Sequence, residues 1–250
     1  MSGHSKWATI KHAKGAADAK RGKMFSRLAK EIMIVAKSGG NPDQNAALRN
    51  LIAKAKSINM PKDNIDRAIK KGTGELQAEV LEEITYEGYA AGGVGLVVTV
   101  LTDNKNRAAA EIRNIFKKNN SDFATQGAVS RNFERKGQIL IAKKDGLTED
   151  GLMEIVLEAG ADDMTADDDG FEVTCAPSAF TDVCAALEKA GIATEEAEVK
   201  LLPSVPTPIA DIAVAKQVMK FINALEDNED VQNVYHNMDI DDSIADQLEE

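Results

Sequence analysis

The sequence predicts an α+β protein of three domains, in which a helical N-terminal unit is followed by two α/β units, one inserted in the other. Three observations predict this architecture. Apolar residues recur at helical spacing from residue 20 to residue 72, after a basic N-terminal segment that is expected to be flexible. A strand, helix, strand, strand, helix, strand order follows between residues 138 and 201. One helix and one strand then remain near the C-terminus, and they must join earlier elements because neither can bury its apolar face alone.

The N-terminal unit is predicted to contain three helices. In the first, over residues 20–37, apolar residues recur every three or four positions and so share one face. These residues are Phe25, Leu28, Ile32 and Val35. A second helix is expected over 45–58. A third begins at Pro61 and ends at Gly72, because proline is favoured in the first turn of a helix and glycine just after the last.

Strands and a further helix are expected after these three helices. Residues 83–87 alternate between polar and apolar like a strand, and 96–101 form a Val-rich run typical of a buried strand. Asn104 can cap a helix that ends near Lys118. Another strand is expected over 128–133.

The next six elements have the split β-α-β order of a ferredoxin-like domain. Their expected ranges are 138–142, 148–159, 162–165, 170–175, 178–190 and 194–201. Pro203, Pro206 and Pro208 then form a stiff linker. A helix over 209–225 and a strand over 231–236 complete the earlier α/β unit. The predicted domain boundaries are 1–75, 80–133 with 209–240, and 137–202.

Charge is distributed unevenly along the chain. Residues 1–72 contain sixteen Lys and Arg and five Asp and Glu, a net charge of +11. The remaining residues contain 14 bases and 36 acids, a net charge of −22. This asymmetry indicates a polyanionic partner for the N-terminal unit, which we call the head. We call the acidic remainder the body. A polyanionic partner would repel the body, so the candidate partner of the body is a protein.

The first predicted helix carries a basic stripe opposite its apolar face. The basic stripe consists of Lys20, Lys23, Arg27 and Lys30. It lies about 200° from the apolar residues, since each residue advances the helix by roughly 100°. Such a stripe either binds phosphates or is a solvated surface that aids solubility. The excess of bases over acids in the head favours phosphates.

Nine residues are candidates for contact with DNA or with RNA, including the RNA of the ribosome. The expected phosphate contacts, which release counterions without reading sequence, are Lys6, Lys11, Lys14, Lys20, Arg21, Lys23, Arg27 and Lys30. Trp7 is the ninth. It either stacks on an unpaired base or packs as a hydrophobic staple on the first helix.

Other residue clusters do not indicate catalysis, a cofactor or a metal. His4 and His12 have no neighbouring cysteine or carboxylate cluster, and the aspartates around Gly170 lack the spacing of a calcium loop and instead indicate a hairpin turn. The glycine-rich run 88–95 precedes a strand, which is the wrong context for a dinucleotide loop. No Ser, Cys or His arrangement indicates a nucleophile. We therefore expect a protein that is not an enzyme.

Cysteine use and hydropathy indicate the cytoplasm. Cys175 and Cys184 have neither metal-type spacing nor a disulfide framework, which is typical of a reducing compartment. No apolar run approaches the roughly 18–20 residues of a membrane-spanning helix. Residues 1–7 lack the apolar core of a secretory signal. These patterns do not determine the oligomeric state.

Several short motifs resemble those of one known family. They are Gly3-His4-Ser5-Lys6-Trp7, Lys20-Arg21-Gly22-Lys23 with Phe25, Asn59-Met60-Pro61-Lys62-Asp63-Asn64-Ile65 with Arg67-Ala68-Ile69-Lys70, Tyr86-Glu87-Gly88-Tyr89, and Leu101-Thr102-Asp103-Asn104 with Asn106-Arg107. With these motifs the chain resembles the YebC family of bacterial regulators, which includes the mitochondrial translational activators. The match extends over essentially the whole chain.

The resemblance implies both a fold and a function. It implies the helical head and two α/β domains, both ferredoxin-like, with one inserted in the other. It also implies a regulator without known catalytic activity, described for the family as a DNA-binding transcriptional regulator. Some relatives instead resemble ribosome-associated factors that help translation of difficult sequences, including proline-rich ones, so this alternative stays open.

Overall fold

The structure is a computed structural model that describes residues 17–144 and 146–245. The head contains helices α1 (Ala17–Ala36), α2 (Ala46–Ser57) and α3 (Lys62–Thr73). The three predicted helices are therefore confirmed. Their buried core consists of Leu28, Ile32, Ala36, Leu48, Ala55, Met60, Ile65 and Ala68.

Local capping explains where the head helices begin and end. The Asn45 side chain accepts a hydrogen bond from the backbone N–H of Leu48 and so caps α2. Pro61 immediately precedes α3. Gly74 follows that helix with φ of 84°, a left-handed conformation that glycine adopts without strain.

The body begins with a hairpin, a helix and a short strand. These are β1 (Glu82–Tyr89), β2 (Gly95–Thr102), α4 (Lys105–Lys118) and β3 (Asp122–Phe123). Six elements follow: β4 (Phe133–Ala142), α5 (Glu149–Glu158), β5 (Ala161–Ala166), β6 (Gly170–Cys175), α6 (Phe180–Lys189) and β7 (Glu196–Pro203). The last are β8 (Thr207–Ile209), α7 (Ile212–Glu226), β9 (Val231–His236), β10 (Met238–Ile240) and α8 (Asp242–Ala245).

Two four-stranded antiparallel sheets organise the body. One has the order β3-β1-β2-β9, and the other has the order β5-β6-β4-β7. In the second sheet the chain follows the predicted β-α-β-β-α-β order. The first sheet takes β9 from beyond the second sheet, as we expected of the C-terminal strand. The domain boundaries stay a prediction, and β4 and β7 extend slightly beyond 137–202.

The first sheet is covered on both faces. One face packs against α4 and α7 through a core that includes Leu96, Ile112 and Phe221. On the other face Val97 and Phe133 are buried, with Leu201 of β7 packed against them. The two α/β units therefore share an apolar contact.

Two sequence-based expectations about local structure were wrong. The strand expected over 128–133 is instead a 3₁₀ turn (Ser130–Asn132) followed by the start of β4. The backbone N–H groups of Val129 and Ser130 donate to the Glu87 carboxylate and are therefore unavailable to a strand ladder. The proline segment 203–208 is not a linker throughout, because Pro208 lies in β8, which pairs with β10 as an edge strand.

Candidate nucleic-acid interface

The structure describes only part of the predicted interface. Lys6, Trp7, Lys11 and Lys14 lie outside the described residues. Lys20 and Arg21 lie in α1, but their side chains are not among those described. The side chains of Lys23, Arg27 and Lys30 are described, and they project from α1 on the side away from the head's core.

The outer side of α1 faces the body rather than solvent. It lies against residues 226–230, at the end of α7 and before β9, which we call the acidic corner because four of its five residues are Asp or Glu. The ammonium group of Lys23 donates to the backbone oxygen of Asp227 at 3.0 Å and to its Oδ1 at 3.1 Å. The Arg27 guanidinium donates to the backbone oxygen of Glu226. The end of a helix exposes unpaired carbonyls with partial negative charge, which favours such cations.

Lys30 completes this contact. Its Nζ donates to the backbone oxygens of Leu101 at 3.1 Å and Glu229 at 3.0 Å, and to Oδ1 of Asp230 at 3.0 Å. Lys23, Arg27 and Lys30 thus fix the head to the body. Periodicity could place these residues on one face of a helix, but it carried no signal for what that face contacts.

Asp230 is the buried centre of the acidic corner. Its side chain is 6% exposed and accepts hydrogen bonds from Lys30, from Thr102 Oγ1 at 3.0 Å and from Arg107 at 2.8 Å. Burial alone would raise the pKa of this carboxyl, but the hydrogen bonds from Arg107 and Lys30 hold the pKa below its ordinary value. Thr102 and Arg107 belong to a motif singled out in the sequence, and this site gives them a structural role.

A second contact joins the head to the inserted unit. Nζ of Lys54 in α2 lies 2.9 Å from a carboxylate oxygen of Glu198 in β7. Burial alone would lower the pKa of Lys54, but the charge and hydrogen bond of Glu198 raise it. Burial raises the pKa of Glu31 in α1. The negative charge of Glu198 adds to this rise, and the positive charge of Lys54 opposes it. The head is therefore held at two places.

Arg49 is exposed and donates to the backbone oxygens of Pro42 and Asp43, and six further cations of the head also face solvent. Among the described residues, none of these six forms an ion pair with a carboxylate. They are Lys37, Lys56, Lys62, Arg67, Lys70 and Lys71. These residues contribute to the positive charge of the head but are not among the site residues that the sequence predicts. Their free charge makes this surface of α2 and α3 attractive to a polyanion.

The described residues present little that could perform other chemistry. No group of three or more His, Cys, Asp or Glu side chains in the described ranges could hold a metal ion. Burial raises the pKa of Cys175 and raises that of Cys184 to about 11, so neither thiol is an activated nucleophile at neutral pH. Within residues 17–144 and 146–245, no helix is long and apolar enough to cross a membrane.

A basic helical head joined to two antiparallel α/β units defines the structural class of this protein, and comparison with known proteins identifies its family. Residues 5–75 match the model of the TACO1/YebC protein N-terminal domain, and residues 81–238 match that of the TACO1/YebC second and third domain. The chain belongs to the TACO1/YebC family. The resemblance found in the sequence motifs is thereby confirmed.

Relatives of similar length support this membership. A protein of Syntrophobacter fumaroxidans is 50% identical over 99% of this chain and 100% of its own length, and one of Desulfotalea psychrophila is 51% identical over 100% of both. Both are named probable transcriptional regulatory proteins. The crystal structure of a conserved hypothetical protein from Aquifex aeolicus has a TM-score of 0.79 at 42% identity, covering 90% of this chain and 93% of that one. The names of the relatives indicate a regulatory protein.

Proposed function

We propose that this chain is a non-catalytic, nucleic-acid-binding regulator of gene expression, and that its ligand is DNA. The observation that supports this most is the separation of charge. A head of net charge +11 over residues 1–72 is joined to a body of net charge −22. Cations on the head attract phosphates, while the body's charge keeps the rest of the molecule away from the polymer. The names of the relatives agree with a role in transcription.

Within the head, we assign phosphate contacts to two sets of residues. The first lies in the segment before α1, which we call the arm, and at the start of α1. It comprises Lys6, Trp7, Lys11, Lys14, Lys20 and Arg21. The second comprises the solvent-facing cations of α2 and α3, such as Arg67 and Lys70. Lys23, Arg27 and Lys30 contact the acidic corner. These three residues can therefore contact phosphates only if the head separates from the body.

RNA is the second candidate ligand, in a ribosome-associated translation factor. The family description joins YebC to TACO1, and the resemblance of the sequence motifs implies that some relatives act in translation. Ribosomal RNA presents the same phosphate charge to the head as DNA does. Unpaired bases would add stacking at Trp7, whereas duplex DNA would offer a groove to a helix.

The test is the salt dependence of binding by the intact protein. Fluorescence anisotropy would measure its affinity for a labelled DNA duplex between 50 and 200 mM salt. The Lys20→Gln/Arg21→Gln/Arg67→Gln/Lys70→Gln variant should bind more weakly, with a slope of log K against log salt lower by about 0.9 for each phosphate that the protein no longer neutralises. The matched control neutralises four solvent-facing lysines of the body, Lys143, Lys144, Lys189 and Lys216, and should bind as the wild type does. Equal slopes for the head variant and the control would contradict the proposal.

A further inference from the structure

One helix of the acidic body is itself positively charged. Helix α4 contains five Lys and Arg residues and one Glu. Two of the five are paired: Lys105 Nζ lies 2.5 Å from a Glu82 carboxylate oxygen, and Arg107 lies between Asp103 and Asp230. The other three face solvent without a carboxylate partner among the described residues. They are Arg113, Lys117 and Lys118.

Aromatic rings at the edge of the first sheet lie beside this helix. The Phe123 ring of β3 stacks on the Phe116 ring of α4, with centroids 4.2 Å apart and planes inclined by 18°. Phe116 is fully buried, whereas Phe123 is 40% exposed. Tyr86 meets Phe123 edge to face at 6.0 Å. Phe123 therefore keeps a large exposed fraction although Phe116 covers one face of its ring. We call these three rings the aromatic platform.

A glycine allows the rings to lie this close to the sheet. A side chain at Gly88, which pairs with Phe123, would place its Cβ 2.3 Å from Cε1 of Phe116. The stacked pair therefore lies directly against the backbone of β1. A ring supported in this way is rigid, so little conformational entropy is lost when a planar ligand stacks on it.

The free cations of α4 lie beside the aromatic platform. Arg113 and Lys117 are one helical turn apart and project from the same side of α4. Burial raises the pKa of Tyr86, and the charge of Arg113 opposes that rise. Arg113 lies about one turn before Phe116 on α4, and Lys117 directly follows Phe116. The carboxylate of Asp122 points to the opposite face of the sheet, since adjacent strand residues alternate.

We propose that the aromatic platform, with Arg113 and Lys117, binds an unpaired stretch of nucleic acid. One base stacks on the exposed part of Phe123, and the flanking phosphates lie against the two cations. Aromatic rings beside a cationic surface are the arrangement by which proteins hold single strands without reading their sequence. This inference rests on the proposed function and extends it: the head supplies one contact with the polymer, and α4 with β3 supplies another.

The test compares single-stranded and duplex probes on the intact protein. Labelled 12-nucleotide uridine and thymidine oligonucleotides and a 12-base-pair duplex would be titrated against the wild type, Phe123→Leu and Arg113→Gln/Lys117→Gln. Phe123→Leu retains an apolar cover for Phe116, and its thermal unfolding checks the fold. The Arg113→Gln/Lys117→Gln variant changes only exposed side chains. Lys143→Gln/Lys144→Gln carries the same charge change on the inserted unit and is the control.

We expect Phe123→Leu to weaken single-strand binding about fivefold or more, because one base loses its stacking contact. Duplex binding should be unchanged. Arg113→Gln/Lys117→Gln should lower the single-strand salt slope by about 1.4, and the control should not. A larger effect on the uridine than on the thymidine probe would assign the site to RNA, and the reverse to DNA. Unchanged single-strand affinity in both variants, with duplex binding retained, would overturn this inference alone. A wild type that binds no probe would overturn the proposed function as well.

Discussion

Lys30 of α1 donates a hydrogen bond to Asp230, the residue just before β9, with Nζ 3.0 Å from Oδ1. This contact joins the basic head to the acidic body at a buried carboxylate that Arg107 and Thr102 also satisfy. Lys23, Arg27 and Lys30 of α1 therefore have partners within the chain. These contacts hold the head in place, and the exposed cations of α2 and α3 remain as the described part of the head that is open to a ligand.

Replacing Lys30 should destabilise the protein. In Lys30→Gln, Asp230 and the carbonyls of Leu101 and Glu229 lose a charged donor in a partly buried site, so we expect the free energy of unfolding to fall by about 1–3 kcal/mol. Urea unfolding would measure this. Lys37→Gln, at an exposed position just beyond α1, is the matched control and should change stability little. Equal stability of the two variants would show that the contact with the acidic corner contributes nothing.

Glu87 should be equally sensitive to a neutral substitution. Its buried carboxylate accepts hydrogen bonds from the backbone N–H groups of Gly127, Val129 and Ser130 and from the Ser130 hydroxyl. In Glu87→Gln one carboxylate oxygen is replaced by an NH₂ group, which cannot accept the hydrogen bonds that these donors make. We therefore expect a loss of about 1–3 kcal/mol in the free energy of unfolding. Glu83→Gln, on the same strand but exposed, should be nearly neutral. A Glu87→Gln variant as stable as the wild type would rule out this role for the carboxylate.

His236 should make stability depend on pH between 4 and 6.5. Burial, with a smaller effect of the Lys200 charge, lowers the pKa of His236 to about 4 from the ordinary 6.5. Because the folded pKa is the lower one, the unfolded chain binds the proton more readily, and stability falls as pH falls through this range. From pH 6.5 to 4.5 we expect a loss of about 2–3 kcal/mol.

The control for this effect is His236→Gln, which retains every other titrating group. Urea unfolding at pH 6.5 and 4.5 should show a smaller loss in the variant than in the wild type. Parallel losses in the two proteins would mean that other groups cause the pH dependence. The carboxyls of Glu87 and Asp230 have pKa values below the ordinary range and so contribute mainly at lower pH.

A methyl group at position 88 should disrupt the first sheet. In Gly88→Ala the new Cβ would lie 2.3 Å from Cε1 of Phe116 and 2.5 Å from the backbone oxygen of Asp122, so both contacts would have to be relieved. We expect a loss of about 1–3 kcal/mol in thermal unfolding. Gly22→Ala, where nothing lies within 4 Å of the new Cβ, should stabilise α1 by about 0.5–1 kcal/mol. A thermally neutral Gly88→Ala would contradict this packing.

The sequence predicted those parts of the fold that depend on local signals. Asn104 accepts from the N–H of Arg107 and caps α4 as expected, and Asp167 accepts from the N–H groups of Asp169 and Gly170 in the expected hairpin turn. The return of β9 to the first sheet followed from the need to bury an apolar face. Contacts between distant segments gave no such signal. The acidic corner meets α1 only in the folded chain, so the basic stripe could not be distinguished from a free phosphate-binding surface.

The most direct test of the account is ultraviolet cross-linking in living cells, with sequencing of the attached nucleic acid and mass spectrometry of the attached peptides. We expect nuclease-protected promoter DNA, insensitive to ribonuclease, with cross-linked peptides from residues 1–75. Ribosomal or messenger RNA on the same peptides would assign the protein to translation instead of transcription. Recovery of no nucleic acid, or of cross-links outside both the head and the aromatic platform, would contradict the account.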